Sequence, residues 1–268
     1  MLGIAGLLSF RSLLRYIFRD RLSPANLTLL TFCFGLNPVF LVHVIQPCLD
    51  FTLPILLIMI LLALFKNRFY YAAAAGILIV FTKESGFMLY GVSIFLFIPL
   101  MILNNPSLLR EKAEFVRKVS VLIVPLILFA IYMVLVPQTQ IGGSWTEGIM
   151  KMVRFYLTDK VIAAQLLSLF VINFTWLISA VILIDVSVMS VKYFLKSPAH
   201  EKGIGKAFNN RYEGIYFYIL FVAIIYFLTR IPFVNKPRYM LPALPVLIIL
   251  FGASLINIIK KQALITAA

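Results

Sequence analysis

Long apolar runs separated by short basic segments constrain this chain more than any other feature. The runs fall at 1–18, 24–46, 51–65, 69–82, 86–104, 119–136, 161–190, 214–229 and 239–259. A hydrocarbon core roughly 30 Å thick is crossed by about 20 helical residues, and a backbone inside it must satisfy its own hydrogen bonds. The pattern therefore predicts an all-α, polytopic transmembrane helix bundle of about eight to nine membrane helices. Residues 1–268 form one transmembrane domain on this reading. Composition agrees: the chain is 62% hydrophobic and 13% charged, against roughly 45–50% and about 25% for soluble domains. The third and fourth runs are shorter than a straight crossing needs, which suggests a thinned or cavity-lining region beside them.

A net charge of +14 could point to nucleic acid. The basic residues are spread between the apolar runs rather than gathered in one block, so the pattern is topological and nucleic acid is excluded as a partner. If the loop after the second run is exoplasmic, the cytoplasmic side collects Arg11, Arg15, Arg19, Arg21, Lys66, Arg68, Arg110, Lys112, Arg117, Lys118, Lys192, Lys196, Lys202, Lys206, Arg211, Lys260 and Lys261. These are most of the 24 basic residues, as the positive-inside rule requires. The other side keeps Lys83, Lys151, Arg154, Lys160, Arg230, Lys236 and Arg238, together with Asp50, Glu84, Glu147 and Asp159. That mixed-charge face is suited to an anion, and chemistry belongs there.

Asp50 is the central acid of this face. No other acid lies between Asp20 and Glu84, and a carboxylate at a membrane helix mouth is costly to desolvate unless it faces a polar cavity. Lys83 follows at the outer end of a short helix. It holds a phosphate on one reading, and on the other it is an interfacial lysine paired with its neighbour Glu84. The stretch 230–245 carries Arg230, Lys236 and Arg238 between four prolines. A stiff loop with guanidinium groups suits a phosphate-bearing lipid headgroup, or serves as a basic rim against anionic membrane lipids.

Other candidates are weaker. His43 lies seven residues before Asp50 on the same helix and so on one face, yet two ligands without a third do not make a metal site. Cys33 and Cys48 show no metal-ligand spacing. Asp185 is expected to find a partner on another helix. Residues 148–158 alternate apolar and basic positions and predict an amphipathic surface helix within an exoplasmic loop at 138–160.

Several of these features together resemble the GT-C membrane glycosyltransferases, in the protein O-mannosyltransferase and aminoarabinose transferase branch. They are a helix ending in Asn37-Pro38, Gln46 and Asp50 after it, a short hairpin with Gly76 and Phe81-Thr82-Lys83-Glu84, and a terminal Pro237-Arg238-Tyr239-Met240-Leu241-Pro242. The resemblance implies transfer of a sugar from a polyprenyl-phosphate donor to an acceptor at the exoplasmic face of a bacterial inner membrane. By position it implies catalytic support from Asp50 and substrate binding by Lys83, Arg238 and Tyr239, and Glu84, Arg230 and Lys236 of the same charged face are further substrate-binding candidates. A divalent cation is compatible with such chemistry, although no ligand set for one is legible. The principal acid of that family lies in a first exoplasmic loop, and no acid precedes Asp20 here. The expectation is therefore a family member lacking its first helix and loop, with residues 1–18 the remainder of a truncated helix. Such a chain would be inactive alone and would be completed by an upstream fragment. The competing class is a membrane transporter or a non-catalytic lipid-binding subunit, and a third reading is an inactive remnant.

Overall fold

The computed structural model describes residues 1–19, 21–45, 48–136, 176–195, 211–230 and 241–266. All regular structure among them is helical, with no strand. The elements are α1 (Leu2–Phe18), α2 (Pro24–Gly35), α3 (Pro38–Ile45), α4 (Leu49–Phe65), α5 (Phe69–Thr82), α6 (Glu84–Asn104), a 3-10 turn (Pro106–Leu109), α7 (Lys112–Leu135), α8 (Trp176–Leu195), α9 (Arg211–Arg230) and α10 (Ala243–Thr266).

The apolar run 24–46 is two helices rather than one. Helices α2 and α3 bend by 61° at Leu36-Asn37. Pro38 has no N–H to continue the ladder and disfavours helical geometry at Asn37. The Asn37 side chain then accepts a bond of 2.9 Å from the Val39 N–H, capping the new helix. Helix α7 starts earlier than its apolar run, at Lys112. The pair Glu114–Lys118 closes at 2.5 Å one turn apart and extends the helix through a charged segment. Helix α8 occupies the described part of the run 161–190, and the expected loop and amphipathic helix at 138–160 lie outside the described residues.

Helices α6 and α7 are long and apolar enough to cross a membrane, and the bent pair α2–α3 adds a third such span if taken as one. Helices α4 and α5, of 17 and 14 residues, are shorter apolar helices. At 1.5 Å per residue they reach about 25 and 21 Å, short of a 30 Å core. Large apolar side chains on α7 such as Ile127, Ile131, Val134 and Leu135 are exposed. So wide an apolar surface suits hydrocarbon rather than water.

Helix α4 occupies the centre. Leu57, Ile58, Ile60 and Leu61 are all buried, and its exposed side is a narrow stripe through Leu49 and Met59. It packs against α1 and α5 and also touches α3, α6 and α10. Where helices cross closely, glycine makes room: a Cβ at Gly6 of α1 would stand 2.9 Å from Ile55 Cγ1. Helices α6 and α9 join through Tyr218, whose hydroxyl donates to the Ser93 carbonyl at 3.0 Å. Asp185 of α8 is 1% exposed and accepts from Tyr216 of α9 at 3.2 Å and from Asn257 of α10 at 3.1 Å. This is the interhelical partnership expected for it, and it knits the last three helices together.

The α5–α6 hairpin has the tightest approach. A Cβ on Gly86 would lie 2.0 Å from the Ile79 carbonyl oxygen, and one on Gly76 would lie 2.5 Å from the Tyr90 ring. The first contact is with backbone and cannot be relieved by a rotamer. Gly86→Ala should therefore lower stability by about 3 kcal/mol, at the upper end of overpacking costs, as measured by thermal unfolding in detergent.

Candidate functional site

Asp50 stands in the first turn of α4, where unsatisfied backbone N–H groups favour a carboxylate. Pro54 lies four residues further on and has no N–H to offer the Asp50 carbonyl. Lys83 is the single residue between α5 and α6, in extended conformation with φ −166 and ψ 152. It closes α5 and opens α6, so its side chain leaves the hairpin tip sideways towards α4. The two side chains meet in an ion pair of 2.6 Å across 33 residues of sequence. Asp50 is 4% exposed as a residue, while the Lys83 side chain keeps 30% of its surface. The carboxylate is thus deep in the bundle and the ammonium bridges it to the surface.

This resolves the two readings of Lys83 in one respect: its carboxylate partner is Asp50, not the adjacent Glu84. Glu84 is exposed in the first turn of α6 and has no ion-pair partner among the described residues. Arg230 ends α9, and the placement of its side chain lies outside what is described. Lys236, Arg238 and Tyr239 also lie outside the described residues, so the structure neither joins them to Asp50 nor separates them from it.

The pairing of His43 with Asp50 on one helical face fails. His43 belongs to α3 and Asp50 to α4. The His43 Nδ1 instead lies 2.7 Å from the Val39 carbonyl one turn back on its own helix. Among the described residues no three His, Cys, Asp or Glu side chains gather in a manner that could hold a metal ion.

A cleft of about 1140 Å³ opens at the opposite ends of α4 and α5. By the length of α4 it lies about 25 Å from Asp50. Tyr16 of α1, the α4–α5 turn, the end of α6, the 3-10 turn, the start of α7 and Ile215 of α9 all border it. These ends therefore lie on one side, as the alternation of basic loops predicted. Sequence reasoning assigned Arg68, Arg117 and Lys118 to topology alone and missed that they share a cavity. The legible signal was the run of Tyr70 and Tyr71 beside Arg68, aromatics and a cation at a helix end.

Compared with known protein families, curated proteins and solved structures, the chain gives no match.

Removing one member of a buried ion pair leaves the other charge uncompensated. Lys83→Met should thus destabilise the chain by about 3 kcal/mol, and adding Asp50→Asn should recover more than half of that loss. A double-mutant cycle of thermal midpoints in detergent measures it. Additive losses in the double variant would show that the pair contributes no coupling.

Proposed function

We propose that this chain works as a membrane glycosyltransferase, or as part of one, with its site at the Asp50 end of the bundle. The observation that carries this reading is the Asp50–Lys83 ion pair, which joins two of the residues that the sequence resemblance singled out, 33 positions apart in the chain. On this reading the shorter apolar helices join α6, α7 and the bent pair in a bundle of about eight to nine membrane helices. The membrane is a bacterial inner membrane, and the Asp50 end faces its exoplasmic side.

The donor is a polyprenyl-phosphate sugar. Transfer forms a bond from the acceptor oxygen or nitrogen to the anomeric carbon and breaks the bond from that carbon to the phosphate oxygen, with inversion. A carboxylate base takes the acceptor proton. On this reading that base is the family's principal acid, and Asp50, engaged through one oxygen with the Lys83 ammonium, has a supporting role. Asp50 orients the acceptor or the base. Lys83 carries three donors on a compact charge, and with Arg238 it stabilises the phosphate as negative charge grows on the leaving oxygen. Glu84, Arg230, Lys236 and Tyr239 are assigned to substrate binding on the same reading.

One observation favours a second reading. A helix broken by 61° at Asn37-Pro38 is a device that transporters use to bring backbone groups to a substrate path. On that reading Asp50 and Lys83 form a gate, opened when substrate separates them.

Radiolabelled sugar transfer from a polyprenyl-phosphate donor, measured with the chain in proteoliposomes, tests the first reading. Arg238→Ala should reduce turnover roughly 100-fold, as removal of a charge-stabilising donor does, and Asp50→Asn should reduce it at least tenfold. If both variants, eluting as folded protein, transfer sugar at the parental rate, the assignment is wrong. Donor uptake without transfer would favour the transporter.

A further inference from the structure

The cleft at the basic end is a built cavity with two chemically distinct zones. Its floor is apolar: Phe65, Phe97, Leu100 and Met101 are buried there. Its rim is cationic, with Arg68, Arg117 and Lys118 against the single carboxylate of Glu114. Each cation is held differently. Lys118 is paired with Glu114 at 2.5 Å and stands 5.7 Å above the Phe69 ring, so its charge is largely answered within the protein. Arg68 lies 5.9 Å from the centre of the Tyr71 ring, and no ion pair among the described residues engages Arg68 or Arg117.

Local backbone geometry fixes where Arg68 stands. Asn67 has φ 56, the left-handed conformation that ends a helix, which asparagine tolerates better than most residues. The Arg68 N–H then donates to the Ala63 carbonyl at 2.8 Å and the Asn67 N–H to the Leu64 carbonyl at 3.0 Å. This is the Schellman pattern, and it turns the chain at once into α5. The guanidinium is thereby delivered to the mouth of the cleft. Tyr70 and Tyr71 follow it, 69% and 68% exposed, at the level where tyrosines settle between hydrocarbon and water.

We infer that this cleft binds a phosphate-bearing lipid of the adjacent leaflet, with the phosphate between Arg68 and Arg117 and the upper chain on the Phe65–Phe97 floor. Charge selects an anion, since the rim carries more cationic than anionic side chains. Guanidinium groups favour phosphate because their N–H donors match two of its oxygens. Size and lining select an amphiphile. Small-molecule sites span about 300–1,000 Å³, and this volume exceeds them while its floor is hydrocarbon-like. Position selects the membrane, because the cleft opens at the ends of α6 and α7, the two helices long and apolar enough to cross one. The site is separate from the Asp50 end and does not depend on the reaction assigned there.

Binding is measured on the purified full chain in detergent from the rise in thermal midpoint with short-chain phosphatidic acid, phosphatidylcholine and inorganic phosphate as probes. Phosphatidic acid should bind at least tenfold more tightly than either of the others. The double variant R68Q/R117Q should weaken it roughly tenfold or more, as loss of charge-assisted contacts does. The variant K66Q/K112Q removes two exposed cations that do not line the cleft and should change it less than about twofold. Val121→Trp keeps every charge and fills the cavity, so it should weaken phosphatidic acid while leaving the small response to inorganic phosphate in place. It also provides the test should the arginine variants fail to fold. Equal loss in both double variants would overturn the proposal in favour of a diffuse basic surface. Inorganic phosphate binding as tightly as phosphatidic acid would overturn the lipid assignment. Sugar transfer is not the readout, so failure here leaves the Asp50 assignment untouched.

Discussion

The burial of α4 over most of its circumference is the constraint on which the rest depends. Only a stripe through Leu49 and Met59 faces outward, and Asp50 in the first turn lies off it and is buried, so its carboxylate must be answered from within the bundle. The answer comes from the α5–α6 junction, where Lys83 is the only residue between two helices. That junction reaches α4 because α5 and α6 close tightly, with Gly86 against the Ile79 carbonyl and Gly76 against Tyr90. Two positions without a side chain thus hold a lysine in place for a carboxylate thirty-odd residues earlier.

The two ends of these helices solve different problems. At the Asp50 end, opposite charges neutralise each other inside the protein. At the other end the charges are mostly of one sign, and the Schellman turn at Asn67 sends Arg68 outward over Tyr71. A closed, neutral contact at one end and a basic, aromatic cleft at the other give one short helical hairpin two chemical faces. The central helix transmits no polar group between them, since its middle turns are leucine and isoleucine.

Much of the helical framework was legible. The run 69–82 matches α5 residue for residue, and 86–104 falls inside α6, because apolar stretches bounded by charged residues leave little choice of ends. The errors have local causes. Hydropathy ran straight through Asn37-Pro38, although the proline marked a break, because both flanks were apolar. A separate boundary, between α3 ending at Ile45 and α4 starting at Leu49, divides His43 from Asp50, which the spacing of seven had placed on one helix. The start of α7 was set late because the charged turn from Lys112 to Lys118 looked like a loop, when its i,i+4 ion pair makes it helical. At the site, Asp50 and Lys83 were both singled out, but sequence adjacency offered Glu84 as an equal partner for the lysine.

By itself the amino-acid sequence determined that apolar helices long enough to cross a membrane are present, the helical class and which helix ends carry the basic residues. These follow from composition and from the need of every backbone group for a hydrogen bond, and both are properties of the chain taken locally. Tertiary structure alone decided that Lys83 turns to Asp50 rather than to Glu84, and that Tyr16, Arg68 and Arg117 border one cleft. Such pairings depend on how closely separate helices approach, and that distance is set by glycines and ring packing far from the residues that meet.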